Sequence, residues 1–182
     1  KAVMCEDVAY GVSRTFAIDV ITGGPNYAIS FLDVPKNSDG TSKYAGPYKK
    51  TGQDLYDQAV SCSGNTITFK LNQPVMDFNN TVTMTAFGAF RKDKDQGDKS
   101  NFQIFSNGPY KLESAWTSNK GGTFVRNENW DVATDTIRKA YPDKIVWDES
   151  LTQETLYERL IANQGADQNA LTFDQAPVTA LA

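Results

Sequence analysis

The 182-residue chain contains no histidine. That absence removes the ordinary forms of Ser-His-Asp and Cys-His catalysis, in which an imidazole moves the proton. It also removes His-containing zinc sites, and two cysteines cannot supply a Cys₄ site. Cys5 and Cys62 are far apart, so there is no CxxC redox motif. Basic residues are not in excess: 18 Lys and Arg face 22 Asp and Glu, a net charge of −4. Without a basic stripe the chain has no electrostatic footprint for nucleic acid. No run approaches the ~20 apolar residues that a membrane-crossing helix needs. A charged-then-apolar leader is also missing. The chain opens Lys1-Ala2-Val3 without an initiator Met, as expected of a processed product or an excised piece.

The remaining composition is that of a globular protein, with 40% apolar and 22% charged residues. The length suffices for one domain or two small ones with a core of their own. Val8, Val12 and Phe16 recur at helical spacing behind Glu6 and Asp7, predicting a helix over Glu6–Phe16. Gly23-Gly24-Pro25 breaks the chain before a short helix over Asn26–Leu32. Pro35–Gly52 reads as a polar loop, and Leu55–Ser61 as a turn of structure. Thr66–Leu71 alternates cleanly and predicts a strand with Ile67, Phe69 and Leu71 on one face. Thr81–Phe90 fits a strand or a short helix equally, and Arg91–Ser100 reads as a solvated charge run at a domain boundary.

Beyond that run, Asn107-Gly108-Pro109 opens a β-hairpin over Tyr110–Arg126, with a loop at Lys120-Gly121-Gly122. Asp143–Asp148 predicts a buried strand. Thr152 caps a helix over Gln153–Asn163 with Leu156, Leu160 and Ile161 on its apolar face, and Ala170–Phe173 is a last short strand. Asp93–Asp98 has the spacing of acids in a calcium loop but carries Ile104 at the twelfth position, so it reads as a solvated charge run. Asp148 and Glu149 are adjacent on a strand and point to opposite faces, which argues against a converging acid-base pair and an enzyme.

Several segments, read in order, are similar to motifs of one family. "EDVAYGVSRTF" (Glu6–Phe16) resembles an E-D-V-x-Y-S-x-x-R helix, and "NTITFKLNQPV" (Asn65–Val75) an x-T-V-T-F-x-L-x-x-P strand. "SNGPYKLESAW" (Ser106–Trp116) resembles G-T-G-P-Y-x-L-x-x-W, and "FVRNENWD" (Phe124–Asp131) L-x-R-N-P-x-Y-W. "DKIVWDES" with the helix after it resembles a D-K-I-x-F strand and an x-x-x-x-L-x-x-G helix. Five motifs in one order resemble the family 5 extracellular solute-binding proteins, the oligopeptide- and dipeptide-binding receptors of ABC importers. Two features depart from that pattern. Family members are far longer, and their Gly-Glu-x-Asp appears here as Gly165-Ala166-Asp167-Gln168, which leaves the spacing of the last strand open.

The resemblance implies an α/β fold with a mixed sheet and helices, part of one lobe of a periplasmic-binding-protein type II architecture. Residues 1–90 would form a smaller subdomain of the first lobe, and 91–182 part of its central sheet. A parallel pairing would run through the Thr152 helix, and the hairpin and Trp130 would be scaffold. The implied function is capture of a peptide or similar solute outside the cell for ABC permease subunits. There would be no cofactor, and membrane contact would come only through a lipid anchor elsewhere. Tyr27 would line the peptide cleft, or else pack under a loop. Phe173, Asp174 and Gln175 would face the cleft, Asp174 receiving an ammonium, or else form a solvated loop. The alternative is an extracellular structural or interaction module. Export implies that Cys5 and Cys62 pair, since thiols oxidise outside the cytosol.

Overall fold

The computed structural model describes residues 2–100 and 105–178. The chain divides into two compact units, Lys1–Asn101 and Phe102–Ala182.

The first unit is built on helix α1 (Cys5–Arg14). Glu6 and Asp7 lie in its first turn, and the Asp7 carboxylate accepts the Met4 N–H at 3.0 Å. Acids there face the positive end of the helix dipole, and Arg14 sits at the opposite end. Val12 and the following Phe16 are buried on one side, as their spacing predicts. Gly11 is required by close approach: a Cβ there would stand 2.0 Å from the Gly88 carbonyl oxygen. Helix α2 (Tyr27–Phe31) turns Ala28 and the following Leu32 into the core. Helix α3 (Gln53–Ala59) runs directly into strand β1 (Val60–Ser63), which pairs antiparallel with β2 (Thr66–Phe69). Ile67 and Phe69 pack on the core, while Thr66 and Thr68 stay exposed. Leu71 lies beyond the strand and bridges to Leu32.

The core centres on three aromatic rings. Tyr44 stacks on Tyr56 at 4.7 Å, and Phe16 meets them at 5.3 and 5.6 Å. The Tyr56 hydroxyl donates to the Ala9 carbonyl at 2.6 Å, which satisfies the one polar atom of a deeply buried ring. Burial pushes the Tyr44 phenol up to about 12. Tyr44 comes from the polar segment 35–52, so that loop supplies one of the largest fully buried side chains. Cys5 and Cys62 form a disulfide, with Cα atoms 5.9 Å apart, that ties the start of α1 to β1.

The undecided stretch after the second strand is helical. It begins at the last residue of α4 (Phe78–Thr81) and holds a 3₁₀ turn, Thr85–Phe87. Phe69, Phe78 and Phe87 meet edge to face at 5.6–5.9 Å and hold both turns on the sheet. Residues 91–100 belong to the first compact unit.

Among the described residues the second unit has three strands in the order β3 (Tyr110–Leu112), β4 (Gly121–Arg126) and β5 (Lys144–Asp148), followed by α5 (Gln153–Ala162). Gly121 has φ +94°, and a Cβ there would lie 1.9 Å from the Trp147 carbonyl oxygen. The Thr152 hydroxyl accepts the Thr155 N–H at 3.3 Å and starts α5 as expected.

Three expectations fail here while the α/β class holds. Strand β5 is not buried on both faces: Ile145 and Trp147 lie opposite Phe124 and Gly122, but Val146 is 70% exposed. Ala170–Phe173 forms no strand, so every strand pair among the described residues is antiparallel. In α5, Leu156 and Leu160 are half-buried, whereas Ile161 faces outward. For Val146 and Ile161 the physical reason is shared: local spacing sets which way a side chain points, but burial requires a neighbouring layer on that side.

Candidate functional site

Tyr27 opens α2 and is 38% exposed. Because Ala28 and Leu32 take the core side, Tyr27 and Phe31, one turn apart, stand outward with ring centres 5.9 Å apart. The Tyr27 hydroxyl has no hydrogen-bond partner among the described residues. The other flank of α2 (Asn26, Ile29 and Ser30) lines a concavity of about 820 Å³ on the first unit. Tyr27 is not part of that lining.

Phe173, Asp174 and Gln175 belong to the second unit. Phe173 is 85% exposed, and its ring meets Trp147 in a tilted contact at 4.9 Å. Trp147 in turn meets Trp116, which meets Phe124, forming an aromatic row along one sheet face. The backbone behind Phe173 is held from α5. The Tyr157 hydroxyl donates to the Asp174 carbonyl at 2.9 Å, and the Gln153 amide donates to the Gln175 carbonyl. The Asp174 carboxylate has no partner among the described residues. The three residues are thus contiguous, with their backbone fixed and their side chains in solvent.

The least legible group is Asp95. It sits within the charge run 91–100, yet its side chain is only 3% exposed. One carboxylate oxygen accepts from the Tyr48 hydroxyl at 2.7 Å, the Tyr10 hydroxyl at 2.9 Å and Arg14 Nε at 2.9 Å. The other accepts from the Gly97 N–H at 2.9 Å and the Ser100 hydroxyl at 3.0 Å. Burial opposes its ionisation and is the largest single influence, but the hydrogen bonds together hold the carboxyl below its ordinary value. The same burial, with Asp95 beside them, raises the phenols of Tyr10 and Tyr48. Arg14 also lies 3.6 Å over the Phe90 ring. Asp95 and both phenols line a second concavity of about 540 Å³. Its carboxylate is already saturated with donors, so this is an anchor and not a ligand group. Tyr10 and Arg14 are the Y and R of the first helical motif, one turn apart on a single face. Their signal was present in the sequence, but their partner, more than 80 residues on, was not.

The other motifs also resolve into scaffold. Asn127 is buried, donates to the carbonyls of Ser106 and Gly108 at 3.2 and 2.8 Å, and accepts the Asn129 N–H at 3.1 Å. The Ser106 turn and the Arg126–Asp131 segment are therefore one locked structure. Trp130 Nε1 donates to Asp135 at 3.3 Å. Hydrogen bonds, foremost from the Arg138 N–H, pull the Asp135 carboxyl down to about 2. Asp148 accepts from Ser150 and Glu149 from Trp116, so the two carboxylates share no site. Among the described residues no group of three or more His, Cys, Asp or Glu is arranged to hold a metal; Ile104 lies outside them. No helix among them is long and apolar enough to cross a membrane.

The model of the bacterial extracellular solute-binding proteins, family 5 Middle, matches residues 1–180. Among solved structures, a protein named clavulanic acid biosynthesis oligopeptide binding protein 2 is similar, with a TM-score of 0.74 and 30% identity over 89% of this chain. The chain spans 28% of that protein's length. No curated protein sequence matches. The family and the solved relative are named as binding proteins, and the described fold of mixed helices and sheets agrees with the likeness. The chain belongs to the bacterial extracellular solute-binding proteins of family 5.

Proposed function

We propose that this chain is the first-lobe part of a receptor that captures peptides or similar solutes outside the cell. The receptor delivers them to the permease subunits of an ABC importer, and ATP hydrolysis belongs to other subunits. A lipid anchor elsewhere in the protein holds it at the cell surface. The observation that carries this reading is family membership over nearly the whole chain, joined to likeness to an oligopeptide binding protein. No observation favours a purely structural or interaction module.

Within this reading Tyr27 is a ligand contact on the first unit, and Phe173, Asp174 and Gln175 are ligand contacts on the second, each within its own unit. The exposed phenol with an unused hydroxyl offers a hydrogen bond and a ring face to a peptide. The free Asp174 carboxylate beside an exposed phenyl ring offers an ionic partner and an apolar contact. The test is calorimetry with peptides on the longer receptor and on Tyr27→Ala. The substitution is expected to weaken binding by about 1–2 kcal/mol with an unchanged melting temperature. A collapsed melting temperature with unchanged affinity of the folded fraction would make Tyr27 a packing residue. The isolated chain, lacking the opposing wall, should bind peptides only at roughly millimolar level.

A further inference from the structure

We propose that the 820 Å³ concavity behind α2 is a binding subsite for the carboxylate end of an apolar-flanked ligand, with Lys36 as its ionic partner. The inference deepens the receptor reading by assigning a second face of α2. It stands on the composition of the lining. Ile18, Ile21, Pro25 and Ile29 contribute apolar surface over the buried Phe16 and Tyr44. This is the usual make-up of a ligand site: mostly apolar walls with a few fixed polar groups.

Four charged side chains line the concavity: Asp19, Lys36, Asp39 and Lys49. Three of them are already engaged. Lys49 and Asp19 form an ion pair at 2.6 Å. Asp39 accepts the Thr41 N–H at 2.9 Å and the Thr41 hydroxyl at 2.6 Å, which fixes the 39–41 turn. These contacts hold both the Asp19 and Asp39 carboxyls below their ordinary range, so both remain anionic at neutral pH. Lys36 alone has no hydrogen-bond or ion-pair partner among the described residues. An added ammonium would meet a lining whose carboxylates are taken, whereas an added carboxylate finds one uncommitted cation. The hydroxyls of Ser30 and Ser42, also in the lining, are donors suited to the same oxygens. The volume admits a terminal residue with its side chain against Ile21 and Ile29.

The experiment is amide and methyl NMR of the 182-residue chain titrated with two probes, N-acetyl-leucine and its neutral amide. The acid is expected to shift resonances of Ile29, Ser30, Ser42 and Tyr44, saturating at least threefold more tightly than the amide. Lys36→Gln should abolish that preference while leaving the spectrum of the free protein intact away from the site. Lys50→Gln, a lysine outside the lining, should leave it unchanged. Equal shifts from acid and amide, no shifts in the lining, or a preference that survives Lys36→Gln would each overturn the assignment. Failure here is distinguishable from failure of the receptor reading, which is measured by peptide binding to the longer protein and by Tyr27→Ala.

Discussion

The two units solve the burial problem differently. In the first, helices close over a two-stranded hairpin and bury Val12, Phe16, Leu32, Tyr44, Tyr56 and Phe87 almost completely. In the second, apart from Pro109, none of the described apolar side chains reaches that depth, and the aromatic row Phe124–Trp116–Trp147–Phe173 remains partly open. Both contain well-formed secondary structure, so the difference lies in layers and not in propensity. A helix or strand needs a second layer before its apolar stripe counts as core. Where that layer is thin, Val146, Ile161 and Phe173 stay in solvent although their spacing is that of buried residues.

All three tryptophans, 116, 130 and 147, lie in the second unit, so indole fluorescence reports on it alone. The buried tyrosines, Tyr44 and Tyr56, both belong to the first, so their near-UV signal follows its unfolding. This separation makes the comparison testable. The largest effect is expected from removing the disulfide. Cys5→Ser with Cys62→Ser opens a loop enclosing most of the first core and should cost that unit about 4 kcal/mol by the loop-entropy relation. The tyrosine transition in urea should move to lower denaturant while the indole transition stays in place. A parallel shift of both would mean that the units do not unfold independently.

Next in size is Asp95→Ala, expected to cost about 3 kcal/mol because it leaves Arg14 without its buried acceptor and two phenols without theirs. Its pH signature follows from the depressed carboxyl. The folded state holds the proton less tightly than the unfolded chain, so the stabilisation is present above the ordinary carboxylate range. It is lost as pH falls below about 4, through the lower folded value. Acid unfolding of the first unit followed by tyrosine signal should be shallower in Asp95→Asn than in the parent. Identical acid profiles would show that Asp95 contributes no linkage.

The smallest effect sharpens the contrast from the other side. Val146→Ala removes an apolar side chain from a strand that reads as buried, yet it should change stability by no more than about 0.5 kcal/mol, since the residue is exposed. A loss near 2 kcal/mol in the indole transition would mean that this face is covered in solution.

What could be read from the sequence was local or carried by resemblance. The 3.6-residue spacing of Val8, Val12 and Phe16, the Thr152 cap and the alternation at Thr66–Phe69 each depend on backbone geometry within a few residues. The hairpin at Tyr110–Arg126 is likewise set by its turns and its pattern. The pairing of Cys5 with Cys62 followed from the resemblance and the compartment it implies, with the 5.9 Å approach supplied by the fold. Tyr27 could be named only through the resemblance, and its outward position follows from Ala28 and Leu32 taking the core.

Tertiary structure alone decided which polar residues are interior. Asp95 lies in a charge run that any local reading sends to solvent, and only the approach of Tyr10, Arg14 and Tyr48 makes its burial affordable. Tyr44, inside a polar loop, becomes core because Phe16 and Tyr56 are brought beside it from both sides in sequence. Conversely, Val146 and Phe173 stay exposed because nothing among the described residues covers them. Periodicity fixes the direction in which a side chain points along its own element, within a few residues. Whether that direction meets another layer or water depends on contacts between distant segments, and those exist only in the folded chain.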